Sequence, residues 1–198
     1  MKTLFRSLGV FALFALVAAT LSGCSGGSSG GRDDSARANF TFSNVSEFTG
    51  NSSPLSVRGN YDDDTISGVL ASRGADYFQV EAFTPNEGRL VGLYLNEVDI
   101  ETVAVGTSFD LMRLTDFQFE YAEDGFARSW SANGGAATVV SRSNQSVTFR
   151  VQNASMVGNA LGANGTPTIN GTITVNLGAI RNLSATKSGS ASKSRPAR

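Results

Sequence analysis

Three carboxylates alternate with apolar residues in a short segment near the middle of the chain. The segment reads Glu97-Val98-Asp99-Ile100-Glu101. Because successive side chains of a β-strand point to opposite faces, this spacing predicts that Glu97, Asp99 and Glu101 share one face of a strand. Paired carboxylates are the groups with which most glycosidases cleave a glycosidic bond. The segment is therefore the candidate catalytic motif of the chain.

The same five residues are similar to the active strand of the retaining β-glucanases of the laminarinase and lichenase type, which are β-jelly rolls. The resemblance implies that Glu97 is the nucleophile, Asp99 a modulating acid and Glu101 the acid/base. The chain departs from that family, because the three residues after Glu101 include neither Gly nor Gln and Trp130 is the only tryptophan available as a sugar platform. We therefore expect a solvent-facing strand edge here and no catalytic residue.

The composition excludes several other kinds of site. The chain has no histidine, so it cannot build a Ser-His-Asp triad or a His-ligated zinc site. Asn60 and the run Asp62-Asp63-Asp64 carry oxygen ligands of the kind that calcium prefers, but an exposed acidic turn is the simpler interpretation. We expect no metal site and no cofactor, and leave open whether the acidic part of the chain binds calcium.

The amino-terminal stretch has the parts of a secretory signal. Lys2 and Arg6 form a positive region, and residues 8–19 form an apolar run. A bilayer-spanning helix needs about 20 apolar residues, so this run is too short to be one. We therefore expect residues 1–23 to be an export signal.

A cysteine motif follows the apolar run. Leu21-Ser22-Gly23-Cys24 resembles the lipobox of bacterial lipoproteins at all four positions. The resemblance implies that the signal is cut before Cys24, that a diacylglyceryl thioether forms there, and that the new amino terminus is acylated, as with palmitate. Two or more acyl chains anchor a protein stably. Ser25 stands where an aspartate would resemble an inner-membrane retention signal, which favours the outer membrane if the source is Gram-negative.

Low-complexity segments flank the middle of the chain. Residues 24–37 are rich in Gly and Ser and read as a flexible tether, and residues 184–198 read as a disordered basic tail. Residues 38–183 are long enough for one domain with its own core. Positive charges in the tail near an anionic envelope surface would assist the anchor. These charges are Lys187, Lys193, Arg195 and Arg198.

The segment 38–183 predicts an all-β domain. Apolar and polar residues alternate at period two, Gly and Asn turns punctuate the segments, and no apolar stripe of helical period persists. This pattern favours an antiparallel β-sandwich or a flattened barrel. The alternating segments are 40–42, 78–82, 93–95, 117–121, 137–141, 147–151 and 169–177.

Three short motifs within this domain resemble small β-sandwich lipoproteins of unknown function that are found in many bacteria. The resemblance supports the fold and implies no active residues. The motifs are Ile66-Ser67-Gly68, Gly106-Thr107-Ser108-Phe109-Asp110-Leu111 and Gly134-Gly135-Ala136-Ala137-Thr138-Val139.

Charge is distributed unevenly along the chain. Residues 38–124 contain fifteen acids and four arginines, whereas residues 125–198 contain basic residues and no acid. The favoured interpretation is that acidic and basic strands pair across the sheets. The alternative is an acidic patch that binds a cation or a basic partner.

The sequence therefore predicts a membrane-anchored cell-envelope lipoprotein whose β-sandwich is a non-catalytic binding or structural module. A protein or glycan partner remains open, and we expect no nucleic acid partner. Two alternative functions remain open. One is a small envelope β-glucan hydrolase that uses Glu97, Asp99 and Glu101, and the other is a carrier that holds an apolar ligand between its sheets.

Overall fold

The protein is built almost entirely from β-strands. A computed structural model describes residues 36–44, 53–59, 68–74, 77–84, 88–112, 116–124, 127–159 and 163–182. Within these ranges there are no α-helices, only a 3₁₀-helix at Leu177–Ala179, and no helix is long and apolar enough to cross a membrane. The strands are β1 (Arg37–Ser43), β2 (Leu55–Arg58), β3 (Gly68–Arg73), β4 (Tyr77–Thr84), β5 (Arg89–Asn96), β6 (Ser108–Asp110), β7 (Phe117–Glu123), β8 (Arg128–Ala132), β9 (Ala136–Arg142), β10 (Ser146–Gly158), β11 (Thr168–Asn176) and β12 (Arg181–Asn182).

The strands form two faces of a flattened barrel. Sheet A consists of β6, β9, most of β10, β11, β1 and β2 in spatial order, and sheet B consists of β12, β3, β4, β5, β7, β8 and the end of β10. All pairs are antiparallel except β12 with β3. The N–H of Val69 at the start of β3 donates to the carbonyl of Gly59 just after β2, at 2.9 Å. This bond nearly closes the barrel, and the expected all-β sandwich or flattened barrel is confirmed.

Strand β10 belongs to both sheets because it bends. Its pairing register shifts between Thr148 and Phe149 against β9, and between Val151 and Ala154 against β11. At the second shift Asn153 adopts a positive φ of 52°, as the extra residue of a β-bulge often does. A side chain on nearby Gly135 would place its Cβ 2.5 Å from the Asn153 carbonyl oxygen, so the bulge requires glycine there.

Aromatic rings from the two sheets meet in the core. The ring centroids of Phe40 and Phe119 are 5.7 Å apart, and Phe78 stacks on Phe149 at 5.7 Å. The predicted alternation holds in β1 and β9, where every second residue is buried on the inner face, whereas β4 and β5 are buried on both faces. Phe40 lies against Gly171 of β11, where a Cβ would come within 2.4 Å of the ring. The contacts of Phe40 with Phe119 and of Phe78 with Phe149 therefore join sheet A directly to sheet B.

Candidate functional site

The segment that carries the three carboxylates is a turn. Strand β5 ends at Asn96, and Glu97 has a positive φ of 56°. Asp99 then accepts hydrogen bonds from the N–H of Glu101 at 2.9 Å and from the hydroxyl of Thr102 at 3.0 Å. The hydrogen bond from the Glu101 N–H is the main cause that lowers the pKa of Asp99. The predicted strand at this position is wrong, because local side-chain bonds to the backbone compete with strand pairing.

Arginines from other elements hold this turn in place. Arg73 forms an ion pair with the Glu101 carboxylate, and the guanidinium of Arg142 donates to the carbonyls of Ile100 and Glu101. The Ile100 side chain is buried in the hydrophobic core. Glu97, Asp99 and Glu101 therefore do not line one face of a sheet, and Glu101 and Asp99 are engaged in fixing the loop.

Several predicted features fall outside the described residues. These are Cys24 with its lipobox, the run Asp62-Asp63-Asp64 with Asn60, and the basic tail at 184–198. Within the described ranges, no cluster of three or more Cys, Asp or Glu side chains is arranged to hold a metal ion.

A buried polar network lies at one end of the barrel. Arg89 of β5 donates to the Tyr121 hydroxyl at 2.8 Å and to the Ser53 carbonyl at 2.8 Å. The Tyr121 hydroxyl donates in turn to Glu123 Oε1 at 2.5 Å, and Glu123 Oε2 lies 3.0 Å from Arg128 Nη2. Burial is the main cause that raises the pKa of Tyr121, and the hydrogen bond to Glu123 raises it further. In the hairpin of β7 and β8, an acidic strand thus pairs with a strand that carries an arginine.

Aromatic rings enclose the Arg89 guanidinium. Its central carbon lies 4.8 Å from the centroid of Phe42 and 5.5 Å from that of Tyr121, both within cation–π range. Trp130 stacks on Tyr121, with centroids 5.6 Å apart. Because these side chains are engaged with one another inside the barrel, the network ties β5, β7 and β8 to the chain ahead of β2 and serves the fold.

A second buried carboxyl lies on the outward side of sheet B. Glu81 Oε1 accepts from Gln79 at 2.8 Å and from the Tyr94 hydroxyl at 2.9 Å. Burial raises the pKa of Glu81, and burial with the nearby Glu81 charge raises the pKa of Tyr94. The Tyr94 side chain lies over Gly92, where a Cβ would come within 2.6 Å of its hydroxyl. Glu81 is thus held in a packed arrangement on the sheet.

The outer face of sheet A carries an open groove whose lining combines polar and apolar residues. It runs across β2, β1, β11 and β10 and has a volume of about 380 Å³. We call it the sheet A groove. The polar side chains that line it are Asn39, Thr41, Ser56, Arg150, Gln152, Asn170 and Thr172.

Hydrogen bonds fix part of the groove lining. The Ser56 hydroxyl donates to Asn39 Oδ1 at 2.8 Å, and Asn170 Oδ1 accepts from the N–H of Asn153 at the bulge, at 2.7 Å. Arg150 and Gln152 on β10 are exposed at the rim. The groove therefore presents oriented amides and hydroxyls together with a solvent-facing guanidinium, which suits recognition of a polar ligand.

Comparison of the chain with protein-family models, with curated proteins and with solved structures gives no significant match. The site must therefore be judged on its own geometry. Sequence reasoning missed Arg150 and the rest of the groove. The polar positions of 148–152 alternate visibly, but only the strand register brings them beside residues 39–41 and 170–172.

Proposed function

We propose that this chain is a cell-envelope lipoprotein, anchored through lipid on Cys24, whose β-domain is a non-catalytic binding module. The sheet A groove is its recognition site. In this arrangement the Gly- and Ser-rich segment between Cys24 and the buried Ala36 holds the domain away from the membrane, and the basic tail at 184–198 adds attraction to an anionic surface.

The observation that carries the proposal is the form and lining of the groove. Its volume of about 380 Å³ is within the range of small-molecule sites, although the groove is open to solvent, and every lining residue except Pro54 lies on a strand. None of the described residues that line it is a carboxylate, a thiol or a lysine. The lining can therefore orient a polar ligand, and it lacks the pair of acid and base that hydrolysis requires.

Two observations count against the alternatives. A glycosidase would need two carboxyl groups facing one cleft, whereas Asp99 is hydrogen-bonded within a turn and Glu101 is paired with Arg73. A carrier would need space between the sheets, whereas Phe78 and Phe149 stack across that space. Both observations favour a ligand bound on the outside of the barrel.

Filling the groove tests the proposal. We would titrate the processed full chain in detergent with dextran, laminarin and polygalacturonate, and compare it with Thr172→Trp. Ser141→Trp is the matched control, because Ser141 is exposed on the same sheet outside the groove. We expect at least one probe to bind wild type and the control, and Thr172→Trp to lose that binding. Equal binding by Thr172→Trp, or no binding to any probe, would contradict the proposal.

A further inference from the structure

We infer that the ligand of the sheet A groove is an acidic polysaccharide, held by Arg150 in the groove lining and by Arg37 and Arg58 beside the groove. This inference rests on the proposed function and narrows it to a class of ligand. Its basis is that three arginines, for which the described residues supply no ion pair, lie on one face of the barrel beside side chains that suit sugar hydroxyls.

Two of the arginines face each other across neighbouring strands. Arg37 of β1 and Arg58 of β2 are directly paired in the register. Both are exposed, while the adjacent Ala38 and Val57 are buried, so both arginines lie on the outer face. Like charges directly opposite each other destabilise a sheet. An anion bound between them would relieve that repulsion.

The third arginine lies on the same face. Arg150 of β10 is paired with Thr172 of β11, which is paired with Asn39, two residues after Arg37. With strands about 4.8 Å apart and a rise of about 3.3 Å per residue, the Cα atoms of Arg37 and Arg150 are roughly 12 Å apart. The three charges are therefore spread along the face rather than gathered at one point, and repeated acidic groups along a polymer can match such a spread.

No described acid compensates these charges. Within the described ranges, none of the three arginines forms an ion pair. Asp110, which the register places on this outer face, lies on β6 at the opposite edge of sheet A. The face therefore attracts anions electrostatically, and no carboxylate of the described ranges competes with an anion that enters it.

The side chains between the arginines suit sugar hydroxyls. Asn39, Asn170 and Gln152 supply amide donors and acceptors, and Thr41 and Thr172 supply hydroxyls. Together with the guanidinium groups, this set can bind a chain that carries both hydroxyls and carboxylates or other acidic groups.

Other anionic macromolecules fit this face less well. A membrane would be expected to contact exposed apolar side chains, but Val105 and Met112, which are 58% and 49% exposed, lie beside β6 and away from the arginines. Single-stranded nucleic acid stacks its bases on exposed aromatic rings, and Phe40, the aromatic residue in the groove lining, is buried.

Neutralising the arginines tests the inference. We would titrate the processed full chain in detergent with polygalacturonate and with neutral dextran, using wild type and Arg37→Gln, Arg58→Gln and Arg150→Gln. Arg73→Gln is the control, because it changes the net charge equally at a distance from the groove. An exposed ion pair contributes up to about 1 kcal/mol, so we expect each of these three single variants to bind polygalacturonate up to about fivefold more weakly. The triple variant should lose tenfold or more.

Circular dichroism of each variant checks that the fold is retained. Equal loss of affinity in Arg73→Gln, or equal binding of dextran and polygalacturonate, would overturn the inference. Binding to anionic phosphatidylglycerol vesicles through the same arginines, without binding to polygalacturonate, would make a membrane the occupant and would also overturn it. If Thr172→Trp abolishes dextran binding while the arginine variants bind normally, the proposed function stands and the acidic ligand is wrong.

Discussion

The Nε of Arg89 donates a 2.8 Å hydrogen bond to the hydroxyl of Tyr121, which itself donates to Glu123. A single hydroxyl thus joins a buried cation to a buried anion, and all three side chains are no more than 2% exposed. Removing that hydroxyl leaves both charged groups short of a partner where water cannot replace it.

We expect Tyr121→Phe to lower the free energy of unfolding by about 1 to 3 kcal/mol, the cost of leaving buried polar groups unsatisfied. Urea denaturation followed by circular dichroism measures the change. Tyr77→Phe is the control, because Tyr77 is a partly buried tyrosine at the start of β4, outside this network. Equal stability of the two variants would show that the Tyr121 hydroxyl does not hold the network together.

The buried carboxyl of Glu81 gives a pH dependence of defined sign. Burial raises its pKa above 4.5, so between that value and the raised pKa the folded chain binds more protons than the unfolded chain. The contribution of Glu81 to stability is therefore greatest at low pH and declines as pH rises through the raised pKa.

Glu81→Gln removes this titration and keeps an oxygen acceptor for the Tyr94 hydroxyl. We expect the variant to show a smaller decline in stability from pH 4 upward and to be at least as stable as wild type at pH 7. Urea titrations across the pH range measure this, with exposed Glu97→Gln as the control. A steeper decline in Glu81→Gln than in wild type would contradict the assigned role of burial.

Close packing of β1 on β11 depends on a glycine. A Cβ on Gly171 would lie 2.2 Å from the carbonyl oxygen of Asn39 and 2.4 Å from the Phe40 ring. We expect Gly171→Ala to destabilise the domain by about 1 to 3 kcal/mol, as overpacking does. Gly134→Ala is the control, since its Cβ would have its nearest contact at 3.9 Å. Thermal unfolding should separate the two variants, and equal melting temperatures would show that β11 accommodates the methyl group.

We expect no glucan hydrolysis from the turn at 97–101. Asp99 is occupied by its bonds to Glu101 and Thr102, and Glu101 is paired with Arg73, whereas a retaining glycosidase needs two available carboxyl groups about 5 to 5.5 Å apart across a cleft. Incubation with mixed-linkage and β-1,3-glucans, followed by assay of reducing ends, measures this. Activity in wild type that disappears in Glu97→Gln would establish catalysis and make Glu97 the nucleophile.

Alternation of apolar and polar residues was enough to predict the longer strands. Phe78, Val80 and Ala82 face the core as their spacing predicts. The short strands β2 and β6 have four and three residues, too few for period two to be distinguished from chance. The segment 97–101 shows the opposite error, because periodicity predicts a strand where the chain forms a turn. Its alternation is perfect, but the left-handed backbone at Glu97 and the hydrogen bonds to Asp99 make it a turn.

The candidate site could not be predicted in the same way. Arg37, Arg58 and Arg150 come from distant parts of the chain, and only the pairing of β1 with β2 and of β10 and β1 with β11 places them on one face. From the sequence alone, Arg89 would likewise be expected at the surface, whereas in the barrel it packs against Phe42 and Tyr121. Register and burial are long-range properties, which local periodicity does not contain.

The proposal as a whole is that lipid on Cys24 holds at a membrane a domain whose groove binds an acidic glycan. The most direct measurement is the retention of fluorescent polygalacturonate by membranes from cells that express wild type or Cys24→Ala. We expect wild-type membranes to contain the chain and retain the probe, and Cys24→Ala to move the chain to the soluble fraction and leave the membranes without it. The proposal would be contradicted if Cys24→Ala stays with the membranes. It would also be contradicted if wild-type membranes retain no more probe than membranes without the chain.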